Sequence, residues 1–151
     1  MPFLTFPTRT ALLATSAAAL ACAAGCEPQH VGEVQQMPRE QITFAATARY
    51  PGNAQSSDQV QAAALDDPND QQFTIYNLSN RPIPQATVWV NGSFVRQVDG
   101  IGPKGHVTLA YGDLIQAGPG TSDLKQSNQA VGRVDLQTSA GLFKVEGPGL
   151  K

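Results

Sequence analysis

Val88-Trp89-Val90-Asn91-Gly92-Ser93-Phe94-Val95 is the stretch on which the fold turns. Two apolar, β-favouring runs flank an Asn-Gly pair. Both residues tolerate positive φ, which a two-residue type I′ turn requires, so the pattern reads as a β-hairpin. A two-residue loop pairs Val90 with Ser93, Trp89 with Phe94 and Val88 with Val95. That register puts Ala86, Val88, Val90 and Val95 on one face and Trp89, Phe94 and Val98 on the other. The valine face suits a core, because β-branched side chains fill a pleated surface well. The Trp89–Phe94 face then needs cover from another segment, or stands partly exposed as a contact surface.

Residues on either side of the hairpin repeat the period of two. Residues 71–77 alternate, with Phe73 and Ile75 on one side. Residues 78–84 break the pattern at Pro82 and Pro84, since proline cannot donate to a ladder. Residues 106–111 alternate again, with Val107, Leu109 and Tyr111 on one face. Residues 133–139 turn Val134 and Leu136 inward. Ala140-Gly141 reverses the chain, and residues 142–146 return with Phe143 and Val145 inward. Residues 112–132 form a connection long enough to read as an excursion or a mobile loop. Upstream, residues 41–50 have apolar side chains at 42, 44, 46, 48 and 50, the pattern of one more strand. Ser56 and Gln59 have the spacing of a capping box for a short helix through Leu65, although the stretch is also low enough in complexity to be a linker. The expected fold is all-β: a small antiparallel β-sandwich or open barrel of five to six strands. Its domain is residues 71–146, with a further strand and linker at 41–70 and a tail at 147–151.

The N-terminus reads differently. Residues 1–26 are MPFLTFPTRTALLATSAAALACAAGC, with one cation, Arg9, ahead of an apolar run broken only by Thr15 and Ser16. The run is shorter than the ~20 residues a spanning helix needs. It closes on small residues, as a secretory signal does at its cleavage site. Ala23-Ala24-Gly25-Cys26 resembles the bacterial lipobox, departing from it at Ala23, where leucine is usual. The resemblance implies that the Cys26 thiol receives a diacylglycerol, that the signal at 1–25 is cut away, and that the new amino group is acylated. More than one acyl chain anchors a protein stably, each buried CH₂ contributing ~0.8 kcal/mol. Cleavage after Ala21 or Ala24 would instead release a soluble product. Residues 26–40 then form the lipidated cysteine and a polar, flexible tether. His30 lies in it with no second metal ligand near in sequence.

Composition narrows the chemistry. Ten basic and twelve acidic residues give a formal net charge of −2, and loss of Arg9 with the signal makes it more negative. No basic surplus exists to release counterions from DNA or RNA, so nucleic acid is not an expected partner. The two cysteines are Cys22 and Cys26, so the folded part can build neither a disulfide framework nor a thiolate metal site. Asp66-Asp67-Pro68-Asn69-Asp70 lacks EF-hand spacing and a closing glutamate, and reads as a solvated acidic turn. Residues 100–105 fit G-x-G-x-x-G literally, but a strand pattern follows where a dinucleotide site needs a helix. A Ser-His-Asp triad in the folded part would need His106, which opens a strand beside a turn and reads as a surface residue. Asp99, Asp113 and Asp135 are the carboxylates from which a glycosidase pair would be drawn. They lie at strand ends or on polar faces, where solvation explains them. No catalytic residue, cofactor or metal is assigned, and the expectation is a protein that is not an enzyme.

The segment FTIYNLSNRPIPQATVWVNGSFVRQVDGIGPKG carries a resemblance. Its residues Asn77, Ser79, Val88, Trp89, Val90, Asn91, Val95, Ile101 and Gly105 match a β module that follows a lipobox. It resembles small, uncharacterised lipid-anchored lipoproteins of planctomycete-type bacteria. The resemblance implies a compartment and a fold, and no activity. The expected role is that of a lipid-anchored, non-catalytic lipoprotein of the cell envelope. It would face the periplasm or the cell surface, held to the membrane through Cys26, and act as a structural or protein-interaction module. The alternative is a glycan- or peptide-binding module using Trp89, Phe94 and Tyr111, since aromatic rings stack on sugars and anchor interfaces.

Overall fold

The structure, a computed structural model, describes residues 39–54, 60–120, 122–148 and 150. Cys26 and the rest of the signal-like segment, His30, and the Ser56/Gln59 pair lie outside the described residues. The elements are α1 (Arg39–Thr47), β1 (Ala62–Asp67), β2 (Gln72–Asn77), β3 (Ala86–Val90), β4 (Phe94–Val98), β5 (His106–Ala110), β6 (Ile115–Gln116), α2 (Leu124–Ser127), β7 (Val134–Thr138) and β8 (Gly141–Val145). A 3₁₀ turn at Tyr111–Asp113 joins β5 to β6. The strands form two open sheets with antiparallel ladders, ordered β1-β2-β5 and β6-β4-β3-β7-β8. This is the all-β sandwich that the alternating runs predict, and not a closed barrel.

The central hairpin forms, and Asn91 and Gly92 take φ of 54° and 66°. Ser93 N–H closes the turn on Val90 C=O at 3.0 Å. The loop is nevertheless one residue longer than expected. Val90 pairs with Phe94, Trp89 with Val95 and Val88 with Arg96. The reason is tertiary: Ser93 C=O accepts from Ala117 N–H at 2.7 Å, which takes Ser93 out of the β3–β4 ladder. A shift of one residue moves a side chain to the other face of a sheet. Phe94 therefore joins Val88 and Val90, while Val95 joins Trp89.

Two cores follow from these faces. The larger lies between the sheets, where Phe73, Ile75 and Leu109 meet Val88, Val90, Phe94, Val134, Leu136 and Val145. The smaller lies on the outer face of the five-stranded sheet, where Trp89, Val95, Ile115 and Leu142 are covered by α1 and residues 48–54. Helix α1 lies over β4 and β6. This helix replaces the strand expected at residues 41–50. Its sequence fits both periods, because Ile42, Ala45 and Ala48 also share one helical side. Two further factors decide for helix: alanine favours it, and only that side has a sheet to cover. Thr43 and Thr47 hydroxyls donate back to Arg39 C=O at 2.9 Å and Phe44 C=O at 3.1 Å. The segment placed in a helix through Leu65 is, in its described part, strand β1 instead. It alternates only weakly and is held by pairing with β2.

The connection at 112–132 is not featureless. It carries β6 and the single turn α2, whose N-cap Asp123 accepts from Gln126 N–H at 2.7 Å. The glycine-rich residues 100–105 form the turn into β5, as their strand-like sequel predicts. Gly100 has φ of 122°, and a Cβ there would lie 2.8 Å from Ile83 C=O. Asn91 does more than turn the chain: its amide donates to Ala130 C=O, and its Oδ1 accepts from Gly132 and Arg133 N–H at 2.9 and 3.0 Å. One side chain thus fixes both the β3–β4 turn and the entry to β7.

Candidate functional site

Alternation placed Trp89 and Phe94 on one face, with Tyr111 nearby. The structure buries all three and divides them: Trp89 belongs to the outer core, Phe94 and Tyr111 to the inner one. The register shift is the cause for Trp89 and Phe94. Tyr111 turns inward at the 3₁₀ turn, where its hydroxyl donates to Asp66 Oδ1 at 2.5 Å. A glycan or peptide site built on these rings has no surface in this fold. Cys26, the expected lipidation site, lies outside the described residues.

The rings and carboxylates instead form a latch around Trp89. Tyr50, just after α1, meets Trp89 edge to face, with centroids 5.4 Å apart and planes at 75°. Its hydroxyl donates to Asp135 Oδ2 at 2.7 Å, and Arg133 Nε donates to the same oxygen at 2.8 Å. The Arg133 guanidinium also lies 5.8 Å from the Tyr50 ring centroid. On the far side, Trp89 Nε1 donates to Gln137 Oε1 at 2.9 Å. Asp135 is fully buried, and its Oδ1 has no partner among the described residues. Burial, and then the hydrogen bond to Asp135, push the Tyr50 phenol up to about 12. Burial and Asp66 push Tyr111 up further. The hydrogen bond with Asp135 holds Arg133 more firmly protonated still. Such a group is suited to clamping a segment to a sheet, because the Tyr50 phenol keeps its proton and Arg133 keeps its charge.

A pH profile tests the latch. A tyrosine whose pKa rises on folding contributes stability that is whole below its unfolded pKa, near 10, and lost as pH rises through the folded value. For Tyr50 that window is about pH 10 to 12. Tyr50→Phe is expected to flatten the fall of Tm across it, leaving the part due to Tyr111. Thermal melts at stepped pH check this, and identical profiles for both proteins would contradict the latch.

The other carboxylates do not converge with Asp135. Asp113 faces Arg96 at 3.8 Å, and Arg96 lies on the opposite face of the five-stranded sheet from Trp89 and Asp135. Asp99 is exposed in the turn after β4. In the acidic turn, Asp67 Oδ1 accepts from Asp70 N–H at 3.3 Å, an ordinary turn contact. Among the described residues, no group of three His, Cys, Asp or Glu is placed to hold a metal ion.

What remains open is the outer face of the three-stranded sheet. Register aligns Leu65 with Thr74 and Thr108, and Ala63 with Tyr76 and His106. Tyr76 and His106 rings lie 5.7 Å apart, and Thr74 and Thr108 hydroxyls share a hydrogen bond of 2.9 Å. The large apolar side chains exposed among the described residues are Leu65, Tyr76 and Leu78, at 50%, 39% and 52%. All three belong to β1 and β2 or the residue after them. A cleft lined by Ala63, Leu78, Lys144 and Glu146 continues this surface toward β8. Sequence alternation marks Tyr76 as facing away from Phe73 and Ile75, yet nothing in it says that α1 covers the other sheet and leaves this one bare. Comparison with protein families, curated proteins and solved structures found no match. Among the described residues, no helix is long and apolar enough to cross a membrane.

Proposed function

We propose that the chain is a lipid-anchored, non-catalytic lipoprotein of a bacterial cell envelope that acts as a protein-interaction module. The domain would be tied to the membrane through Cys26 and face the periplasm or the cell surface. The observation that carries the interaction role is the asymmetry of the two sheets. The five-stranded sheet has the apolar part of its outer face covered by α1 and the Tyr50 latch. The three-stranded sheet gathers Leu65, Tyr76 and Leu78 in the open. Apolar side chains grouped in this way mark contact sites more often than lone ones do. The anchor rests on the lipobox-like Ala23-Ala24-Gly25-Cys26 and on the distance to the domain. Twelve residues separate Cys26 from Arg39, where α1 starts.

Cys26→Ser tests the anchor. The variant is expected to leave the membrane fraction, while the wild type stays in it and is released by detergent. Equal partitioning of the two would overturn the anchor and leave the sheet surface to be explained separately.

A further inference from the structure

The edge of the same sheet is more specific than its face. In the β2–β5 ladder, Asn77 N–H donates to Gly105 C=O and Tyr111 N–H donates to Gln71 C=O, each at 2.8–2.9 Å. Hydrogen-bonded and non-hydrogen-bonded pairs alternate along an antiparallel ladder. Leu109 and Val107 therefore exchange bonds with β2, and the N–H and C=O of His106, Thr108 and Ala110 point away from it. Among the described residues no backbone group meets them. Native sheets guard such edges with charge, proline, bulges, brevity or a covering segment.

The other edges are guarded. Strand β1 carries Asp66 and Asp67, and its Ala64 N–H is taken by Glu146 C=O at 2.9 Å. Strand β6 has two residues and is covered by residues 122–124, through Gln116 N–H to Ser122 C=O and Leu124 N–H to Leu114 C=O. Strand β8 carries the exposed Lys144. Strand β5, HVTLA, has no acid, lysine, arginine or proline.

We propose that β5 pairs with β5 of a second copy of this chain, in antiparallel register about Thr108, to make one continuous six-stranded sheet. The strand is complementary to itself. Thr108 falls opposite Thr108 of the copy, and His106 falls opposite Ala110, so a bulky ring faces a small side chain. No like charges meet. Threonine pairs across strands are favourable, and here the hydroxyl contact between Thr74 and Thr108 extends into a row across the axis. The N–H and C=O groups of His106, Thr108 and Ala110 bond in reciprocal pairs, as a two-fold interface requires. The exposed Tyr76 and Leu65 rows of the two copies then form one doubled surface. Pairing of this kind does not depend on the lipid anchor.

Single cysteines placed in the full-length chain test the register. Thr108→Cys is expected to give a disulfide-linked dimer on mild oxidation of membranes. His106→Cys alone gives no more than the wild type, whereas a mixture of His106→Cys and Ala110→Cys chains does cross-link. Equal cross-linking at Thr108→Cys and at Leu65→Cys, or none above wild type, would overturn the proposal. A Thr108→Cys adduct at a mass other than twice the chain would overturn it too, in favour of a different strand donor. Thr108→Lys, which sets two cations face to face on an exposed strand, is expected to convert the detergent-solubilised dimer to a monomer by light scattering. A wild-type monomer, or a dimer that survives Thr108→Lys, would contradict the pairing.

Discussion

Trp89→Ala is expected to cost the domain about 3–5 kcal/mol, the range for truncating a fully buried tryptophan. The side chain is 1% exposed and sits where three elements meet. Val95 lies beside it on β4 and Asp135 on β7, and α1 closes over it through Ala45. Relaxation into the space left is blocked. Tyr50 is held off by its hydrogen bond to Asp135, and β3 is paired on both sides. Gln137 Oε1 also loses the indole N–H. Small domains are stable by only ~5–15 kcal/mol, so a large part of the total is removed. The fall in Tm should exceed about 10 °C. Trp89→Phe keeps a ring against Tyr50 and loses the hydrogen bond, so its cost should be well under half. Calorimetry of the three proteins checks the order. A Tm change of a degree or two for Trp89→Ala would mean that α1 does not seal this face. Trp89 is the single tryptophan, so its fluorescence in the folded wild type should resist acrylamide as well.

The second large effect is expected at Asn77. This buried carboxamide closes β2 and ties two loops together. Its Nδ2 donates to Arg81 C=O at 2.7 Å and Gly102 C=O at 2.9 Å, with Ile101 C=O at 3.2 Å. Its Oδ1 accepts from Ser79 N–H at 3.0 Å and Ser79 Oγ at 2.8 Å. Asn77→Ala removes these five hydrogen bonds and leaves Ser79 N–H without its partner, while the Arg81, Ile101 and Gly102 carbonyls keep Ser79 Oγ, Ile83 N–H and Gly105 N–H, so the cost is roughly 1–3 kcal/mol. Asn77→Asp should be worse at neutral pH. It keeps nearly the same shape but sets a carboxylate oxygen against three carbonyl oxygens and has no proton to donate. Protonation restores one donor. The aspartate variant should therefore gain stability relative to Asn77→Ala as pH falls toward 4. Urea unfolding of both variants at pH 7 and pH 4 decides this. Equal costs at both pH values would mean that the Asn77 amide does not bridge the loops.

How far the sequence could be read depended on how local each determinant was. The hairpin turn was legible because positive φ at Asn91 and Gly92 is a property of those two residues. Its register was not, because the place of Ser93 is decided by Ala117, far along the chain. That single slip exchanged Phe94 for Val95 and dissolved the aromatic face that alternation drew. Helix α1 is ambiguous in the sequence because Ile42, Ala45 and Ala48 satisfy a helical side while every second residue is also apolar. Only the Trp89 face, built by strands distant in sequence, selects between them. Elements as short as β6 and α2 have too few residues to show any period. Asp135 was read as solvated, and alternation does send it outward from the inner core. On that outer face it meets Tyr50, a residue 85 positions away in a stretch whose period of two suggests a strand. The bare sheet was hidden for the same reason: which face lacks cover depends on where α1 goes.

The intact mass of the mature N-terminal peptide, taken from membranes of the host cell, tests the central claim most directly. The expected result is a chain beginning at Cys26 and carrying a diacylglycerol on its thiol. An unmodified chain beginning at Cys22 or Gly25, recovered from the soluble fraction, would contradict it.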